Sequence, residues 1–469
     1  MQGGVSVSAP EFADLNLSIP PLHRWLDAVI GASPEDSVAP QHGPRRWWPG
    51  PLDVEGLALG ALQAVATALH RYPAGRARFS VTSAPVAASF NSLGHLRIAG
   101  VTPDGFAELS GFFPCRDGWI RLHANYPHHA AAIRSVLGAG TRTEVVDALA
   151  GCSAEGAEAT LRATGGVAVA LRDPATWQAS APGAAVASEP WIRFALEEPR
   201  AGPRRAVRAL SELRVIDLTR VVAGPTGTRL LGALGADVLR IDPPGMPELW
   251  DHYVDTGFAK RSALADLDDP AALARIRVLL AEADVLFTGY RGAALDRFGL
   301  NPAALTRDYP QLVVVTLDAW GDRGPWSHER GFDSIVQAAT GIGHLYGRPY
   351  ESGGWRPGVQ PVQALDHATG YGMTAAALAL LTRRHTAGGN GWAHLSLART
   401  AQELLALSAP SEIEITLPVP VRDTPSPYGP LRYVPPPLDR DGGPLEYPTP
   451  PQQYGSSPLS WTGPEKVVW

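Results

Sequence analysis

The sequence predicts an α/β protein built on a doubly wound, mostly parallel sheet. Residues 213–242 show the pattern of a strand, a helix and a second strand, the unit from which parallel sheets are made. Further short apolar strands alternate with helices up to residue 317. A sheet of this kind binds its ligand at the carboxyl ends of its strands.

The strand-helix-strand unit has clear boundaries. Residues 215–218 form the first apolar strand, and Pro225 suits the first helical position because its φ is already helical. Gly235 ends the helix, and residues 236–241 indicate a second buried strand. The unit lacks the G-x-G-x-x-G pattern, so no dinucleotide redox cofactor is implied.

Later elements keep the same alternation. Asp269 and Pro270 open an amphipathic helix that runs to Leu280. Strands are expected at residues 283–287 and 312–317, and an Ala-rich helix is expected from residue 370.

The N-terminal half repeats part of this plan. A helix is expected over residues 57–70 and a strand over 78–82, an order that returns in residues 370–401. Aligning Gly75 with Gly388 places Asp53 on Asp366 without a gap. Because Asp53 lacks the glycine that follows Asp366, we interpret it as structural.

A hairpin pattern at residues 112–122 turns at Asp117 and Gly118. The next segment carries three histidines within seven residues, His123, His128 and His129. It lacks the carboxylate partners and the helical spacing of a typical metal site, so we expect no metal.

Composition narrows the function classes. The chain has 469 residues, of which 45% are hydrophobic, enough for two or three globular domains. Its formal net charge of −6 makes nucleic acid and anionic membranes unexpected partners. The sequence shows no leader pattern and no membrane-length apolar run, and its two cysteines are too few for a disulfide framework. We therefore expect a cytoplasmic protein.

Three segments carry a specific resemblance. D-L-T-R-V-V-A-G-P at residues 217–225 and L-G-A-D-V-L-R-I-D at residues 234–242 closely resemble the N-terminal signature of the class III CoA-transferases, the CaiB/BaiF family. D-G-W-I-R-L at residues 117–122 resembles the family's smaller domain, which normally follows the core. The resemblance implies a Rossmann-like core and a smaller α+β domain, here in a permuted or fused order.

The expected organisation has five parts. They are an N-terminal arm (1–51), a segment resembling the C-terminal part of the family and including the small domain (52–200), a linker (201–209), the CoA-binding core (210–410) and a Pro-rich C-terminal arm (411–469). A disordered tail and a docked arm are both open for the last part, and its tyrosines favour docking. Since family members form interlocked rings, we expect an intertwined homodimer in which residues 418–451 wrap a neighbour.

Asp366 lies in A-L-D-H-A-T-G, just before the Ala-rich helix. Spacing alone is typical of a helix N-cap, whose carboxylate is held ionised by free backbone N–H groups and the helix dipole. In the family, however, the D-x-x-x-G motif carries the aspartate that attacks the acyl-CoA thioester. The resemblance implies that Asp366 is this nucleophile and that anhydride and aspartyl-CoA thioester intermediates follow.

The resemblance also implies CoA-binding positions. Arg291 and Arg297, with Arg330 as a further candidate, are expected to bind the phosphates, because arginine offers a planar fork of donors. The formyl-CoA transferase branch has a glutamine where this chain has Val222, which leaves side-chain help for an oxyanion there in question. CoA is expected as the acyl-CoA substrate, with no permanently bound cofactor. The remaining matched positions are Val222, Ala223, Leu267, Gly289, Tyr290 and Phe332.

One departure bears on the reaction. The racemase branch of the family carries a histidine in a G-H-D motif, and the matching residue here is Phe332, which cannot carry a proton. The sequence thus favours CoA transfer between an acyl-CoA and a free carboxylic acid. A racemase or isomerase of the same family and an inactive CoA-binding homologue are the alternatives. No residue identifies the acyl group.

Overall fold

The computed structural model describes residues 19–198, 208–349, 354–407 and 415–462. Most of the expected linker (201–209) lies outside these ranges, as do residues 1–18 of the N-terminal arm and residues 411–414 and 463–469 of the C-terminal arm.

The α-helices in the described ranges are, in chain order, α1 Asp27–Ile30, α2 Val54–Arg71, α3 Ser83–Phe90, α4 Ser92–His95, α5 Pro127–Leu137, α6 Arg142–Ala150, α7 Ala154–Ala163, α8 Pro174–Ala179, α9 Ala181–Ala187, α10 Ala223–Ala233, α11 Trp250–Thr256, α12 Pro270–Glu282, α13 Pro302–Asp308, α14 Asp333–Ala339, α15 Ile342–Leu345, α16 Ala364–Thr386 and α17 Leu397–Leu405. Short 3-10 helices lie at Leu22–Leu26, Glu35–Ser37, Leu210–Glu212 and Gly292–Phe298.

The strands are β1 Gln41–His42, β2 Phe79–Thr82, β3 Arg97–Ile98, β4 Gly111–Cys115, β5 Gly118–Leu122, β6 Ala168–Ala170, β7 Arg193–Leu196, β8 Arg214–Leu218, β9 Asp237–Asp242, β10 Arg261–Leu264, β11 Val285–Thr288, β12 Val313–Asp318, β13 Arg348–Pro349, β14 Trp355–Arg356, β15 Gly391–Ser396, β16 Arg422–Thr424, β17 Leu431–Tyr433, β18 Asp439–Arg440 and β19 Gly443–Pro444.

A seven-stranded sheet organises the chain. Its strand order is β10-β9-β8-β11-β12-β15-β7, and neighbouring strands run parallel except β7, which pairs antiparallel with β15. The prediction of an α/β protein with a mostly parallel sheet is confirmed. Helix α10 begins at Ala223, so Pro225 is the third helical residue and not the first, a position whose N–H also lacks an intrahelical acceptor.

Side chains of the central strands enter two separate core clusters. Val215, Val238 and Phe287 join the cluster that includes α2, α10 and α16. Ile216, Leu239 and Leu286 join the cluster that includes α12 and α13. Burial on both sides explains why these strands read as continuous apolar runs.

Helix α16 contains the Ala-rich segment and begins at Ala364, earlier than the sequence pattern indicates. It packs against α2, and the order of helix, strand and helix in α2–β2–α3 repeats that of α16–β15–α17. The described part of the N-terminal arm packs on the core, because Leu22, Leu26 and Val29 lie in the same cluster as α2 and α16.

Residues 109–170 contain a three-stranded antiparallel sheet of β4, β5 and β6 together with α5, α6 and α7. This unit has a hydrophobic cluster of its own, which includes Phe113, Ile120, Ile133 and Leu161. Its strand β5 also packs against α14 of the core.

The Pro-rich segment packs on its own chain. Strand β17 pairs with β3, β18 pairs with β2, and Ser457 N donates to Ser262 O (2.7 Å) along the edge strand β10. Tyr433 and Tyr447 lie against Phe258, at ring distances of 4.4 and 5.1 Å. The described part of this segment therefore docks on its own chain, and its contact with a neighbour stays a prediction. None of the described helices has both the length and the apolar character needed to cross a membrane.

Helices α10 and α16 cross at glycines. A Cβ at Gly370 would lie 2.1 Å from Ala223 O, and a Cβ at Gly227 would lie 2.4 Å from Gly370 O. Thr374 Oγ1 donates to Gly227 O (3.0 Å) across the same crossing. The obstructing atoms are backbone, so a side chain at Gly370 requires the two helices to separate.

Gly370→Ala is therefore expected to lower the free energy of unfolding by about 1–3 kcal/mol or more, as overpacked cores do. Urea denaturation followed by circular dichroism measures this. Gly151→Ala is the matched control, since its added Cβ would meet no atom within 4 Å and its φ is −88°. Equal stability of the two variants would contradict the close crossing.

Candidate active site

A cleft of about 300 Å³ opens where the strands β8, β11 and β12 end. The segments that follow these strands form its walls, as expected at the carboxyl edge of a parallel sheet. The lining residues are Tyr126, His128, His129, Arg220, Val221, Ala223, Met246, Gly289, Tyr290, Arg291, Ala294, Leu317, Asp318, Ala319, Glu329, Arg330, Gly331, Phe332, Asp366 and Leu397.

Most of the residues expected at the site line this cleft: Ala223, Gly289, Tyr290, Arg291, Arg330, Phe332 and Asp366. Three expected residues do not line it. Val222 is the buried residue before α10, and Leu267 packs against the cluster of α12. Arg297 is 65% exposed and pairs with Asp268 (2.9 Å), outside the residues that line the cleft.

Asp366 is the third residue of α16 and is buried to 6% exposure. It is not the N-cap, because Gln363 holds that position. Within the described ranges, no hydrogen bond is donated to its carboxylate. Burial, together with the charge of Asp333, raises the pKa of Asp366 well above its usual value. The environment of Asp366 thus differs from that of the ionised N-cap that spacing alone indicates.

Asp333 performs the capping that spacing indicated for Asp366. Its Oδ2 accepts from the backbone N–H groups of Leu365 (3.0 Å) and Asp366 (3.1 Å), at the start of α16. Gln337 Nε2 donates to its other oxygen (2.5 Å). Burial raises the pKa of Asp333 to about 6, and these hydrogen bonds oppose the shift. The site thus holds two buried acids at adjoining helix ends.

Three arginines border the cleft, and they differ in their partners. Arg220 donates to the carbonyls of Met246 and Pro247 and lies 3.7 Å from Glu248. Arg291 donates to His328 O (3.0 Å). Neither Arg291 nor Arg330 forms an ion pair in the described part of the chain, since Glu329 pairs with Arg162 (3.2 Å). Two cationic groups are thus available to an anionic ligand.

The unit at residues 109–170 supplies a wall that the sequence did not predict. His123 stacks on Phe332 at 3.7 Å, and His129 meets the same ring edge-on at 5.8 Å. In the sequence, the spacing of His123, His128 and His129 bears only on metal binding. The signal for a ring-lined wall is Phe332, which stands where the G-H-D motif has a histidine. In the described ranges, no group of three or more His, Cys, Asp or Glu residues is placed to hold a metal ion.

Glu248 joins this unit to the core. It accepts from Tyr126 OH (2.6 Å), from Val221 N (2.9 Å) and from Arg240 Nη2 (2.6 Å). Despite burial, the charges of Arg240 and Arg220 lower the pKa of Glu248 to about 2. Val221 has a φ of +65°, which is uncommon for a β-branched residue, and its N–H is held by Glu248.

Asp53, the counterpart of Asp366 in the repeat, lies in a different environment. It caps α2 by accepting from Gly56 N (2.8 Å), and Arg45 Nη2 donates to both of its oxygens (2.6 and 2.7 Å). Its oxygens are occupied by structural partners, which fits the interpretation that Asp53 is structural.

The raised pKa values of Asp333 and Asp366 predict how the free energy of unfolding depends on pH. An aspartate with a raised pKa binds its proton more tightly in the fold than in the unfolded chain, so stability falls as pH rises from the unfolded value of 3.8 through the raised values. Asp366→Asn cannot ionise. We expect it to raise the free energy of unfolding at about pH 8 by about 1 kcal/mol or more, and the gain to shrink towards about pH 4.

Urea denaturation at the two pH values measures this difference. Asp147→Asn, at an exposed position of α6, is the control and is expected to show no such pH-dependent gain. A loss of stability at the higher pH in Asp366→Asn would contradict the raised pKa.

Comparisons with known proteins concern the same part of the chain. Residues 210–426 match the model of CoA-transferase family III. Succinyl-CoA:glutarate CoA-transferase of Mus musculus is 30% identical over 195 residues, which cover 39% of this chain and 44% of the relative. Acetyl-CoA:oxalate CoA-transferase of Acetobacter aceti is 35% identical over 150 residues, which cover 29% and 38%.

A solved structure of a CaiB/BaiF family protein from Brucella suis is 26% identical, with a TM-score of 0.38, and the match covers 47% of this chain and 64% of that one. The chain spans less than half the length of the two relatives. The matched segment contains α10, β11, α14 and the start of α16, and so most of the cleft. Over residues 210–426, this chain is therefore similar to CoA-transferase family III.

Proposed function

We propose that this protein transfers coenzyme A between an acyl-CoA and a free carboxylic acid, with Asp366 as the nucleophile. The observation that carries the proposal is a buried carboxylate that lines a cleft and receives no hydrogen bond from the described residues. A carboxylate without hydrogen-bond donors is poorly stabilised and therefore reactive once it ionises. The family match over residues 210–426 supports this reading.

Once Asp366 has ionised, the chemistry needs no further acid or base. An oxygen of Asp366 attacks the thioester carbon, the C–S bond breaks, and a mixed anhydride and the CoA thiolate result. The thiolate attacks the aspartyl carbonyl carbon, so the donor acid leaves as a carboxylate and Asp366 carries CoA as a thioester. The acceptor carboxylate attacks this thioester, and the same steps in reverse give the new acyl-CoA.

Asp333 has a positioning role in this scheme. It holds the backbone of Leu365 and Asp366 at the start of α16, and its charge disfavours ionisation of Asp366. We propose that Arg291 and Arg330 bind the CoA phosphates, since both line the cleft without a carboxylate partner in the described part of the chain.

Two wider features of the chain also belong to the proposal. The core is doubly wound, because the helices of the two clusters pack on different side-chain sets of the same strands, and residues 109–170 are a smaller α+β domain with its own cluster. An intertwined homodimer and a cytoplasmic location stay predictions.

Asp366→Ala and Asp366→Asn are expected to abolish acyl exchange while CoA binding survives, because no other group in the scheme can carry the acyl and CoA intermediates. Mass detection of exchanged thioesters measures this, with succinyl-CoA and glutarate and acetyl-CoA and oxalate as first pairs, after the relatives. A hydroxylamine-sensitive adduct on the peptide containing Asp366 would identify the intermediate. Wild-type exchange in the Asn variant would remove Asp366 from the mechanism, and loss of the substrate α-proton to D₂O without exchange would indicate a racemase.

The phosphate assignment has its own test. Arg291→Gln and Arg330→Gln are each expected to raise the Kd for CoA about 10- to 100-fold, the loss of one charge-assisted interaction of about 1.5–3 kcal/mol. Arg297→Gln tests the residue that the resemblance selects but that lies outside the cleft. Because Arg297 pairs with Asp268 there, this substitution is expected to leave the Kd for CoA unchanged. Isothermal titration calorimetry with CoA measures the Kd of all three variants. If only Arg297→Gln weakens CoA binding, the assignment of Arg291 and Arg330 is contradicted.

A further inference from the structure

His129 occupies an unusual place in the cleft. It comes from the unit at residues 109–170, lies in the first turn of α5 and is only 4% exposed, yet its side chain lines the cleft that contains Asp366. Its ring is fixed by Phe332 at 5.8 Å, by Tyr126 at 5.6 Å and by His128 at 4.1 Å. Phe332 precedes Asp333, which bonds the backbone N–H of Asp366 at 3.1 Å. A short series of contacts therefore connects His129 to the nucleophile.

The two ring nitrogens of His129 have different surroundings. Nδ1 is fully enclosed and has no hydrogen-bond partner, and the described residues give Nε2 no partner either. Since the ring lines the cleft, Nε2 is the nitrogen that faces it. A buried N–H without an acceptor is rare in proteins, so the proton of the neutral ring belongs on Nε2, where a ligand can accept it.

The ring is also kept neutral. Burial, with His128 and Arg330 nearby, lowers the pKa of His129 to about 3. The first turn of a helix adds positive potential, which disfavours a second proton and polarises the remaining N–H. His129 is thus a permanent hydrogen-bond donor near neutral pH and a poor carrier of protons.

We propose that His129 Nε2–H is the hydrogen-bond donor to the acyl oxygen of the substrate, stabilising the oxyanion that forms when Asp366 attacks the thioester. This inference rests on the proposed function and adds a catalytic residue to it. As the C–O bond to Asp366 forms, the carbonyl π electrons move to the acyl oxygen; they return when the C–S bond breaks and the thiolate leaves. His129 donates its hydrogen bond throughout and keeps its proton.

The placement of His129 answers a question that the sequence left open. Val222 offers no side-chain donor at the position where a branch of the family has glutamine, and Phe332 offers none where another branch has histidine. The structure brings an imidazole to the same cleft from a segment about 200 residues away in the chain. Glu248 holds it there, because its hydrogen bond to Tyr126 OH (2.6 Å) ties the residue before α5 to the core.

A matched pair of substitutions tests the proposal. Glutamine and methionine have similar length, but only glutamine places an N–H near the position of Nε2. His129→Met is expected to lower kcat about 10²- to 10³-fold, the usual loss on removing one oxyanion donor, with the Kd for CoA unchanged within about threefold. His129→Gln is expected to recover kcat to within about tenfold of the native value.

The outcomes separate the two proposals. Native exchange with an unaltered kcat in His129→Met overturns the role of His129 and leaves Asp366 in place. The same is true if His129→Gln loses as much kcat as His129→Met. Absence of exchange by the native protein on every acyl-CoA and acid pair overturns the proposed function and this inference together.

A measurement that does not depend on turnover completes the test. Nitrogen-15 NMR of histidine-labelled full-length protein, with His129→Gln to assign the signal, is expected to show a neutral Nε2–H tautomer from about pH 5 to about pH 8. Adding an unreactive acyl-CoA analogue whose thioester sulfur is replaced by a methylene group is expected to shift the Nε2 signal. An Nδ1–H tautomer, a protonated ring or an unmoved signal would overturn the proposal.

Discussion

The crossing of α10 and α16 at Gly227 and Gly370 determines the geometry of the site. Gly370 lies one turn after Asp366 and meets the carbonyl of Ala223, which itself lines the cleft. Because the contacting atoms are backbone atoms, the helix that carries Asp366 lies in direct van der Waals contact with the start of α10. Under the proposed function, a substrate held at the turn after β8 is brought close to Asp366, which is the condition for effective covalent catalysis.

Local sequence patterns predict the part of the site that lies at the carboxyl edge of the sheet. Ala223, Gly289 and Arg291 directly follow parallel strands, and parallel strands place their carboxyl ends together, so local patterns are sufficient to assemble them. Asp366 was identified by a motif, and the glycine of that motif has a physical reason in the helix crossing. The resemblance gives Arg297 a position in the chain, and the structure places its side chain outside the cleft in an exposed ion pair with Asp268.

The other half of the site depends on contacts that no local pattern contains. Glu248, Tyr126 and Val221 are brought together by one buried carboxylate, and nothing in the spacing of these residues indicates their hydrogen bonds. No local pattern contains the role of Asp333 either, because its hydrogen bonds join it to residues 32 and 33 positions later. The capping role assigned to Asp366 exists in the structure, but a residue 33 positions earlier performs it, because a buried acceptor is needed at the start of α16 and Asp333 reaches it.

The permuted or fused order that the resemblance implies is compatible with these contacts. Strand β7 adds to the edge of the sheet beside β15, Glu248 holds Tyr126, and the Pro-rich segment pairs with β2 and β3, so the N-terminal half is attached at these places in addition to the packing of α2 on α16. None of these attachments requires the small unit to follow the core in the chain. The unit that precedes the core brings the imidazole of His129 and the phenol of Tyr126 to the cleft beside Phe332. In the proposed permuted order, the contact that keeps this unit at the cleft is the buried carboxylate of Glu248, which accepts from Tyr126 OH and from Val221 N.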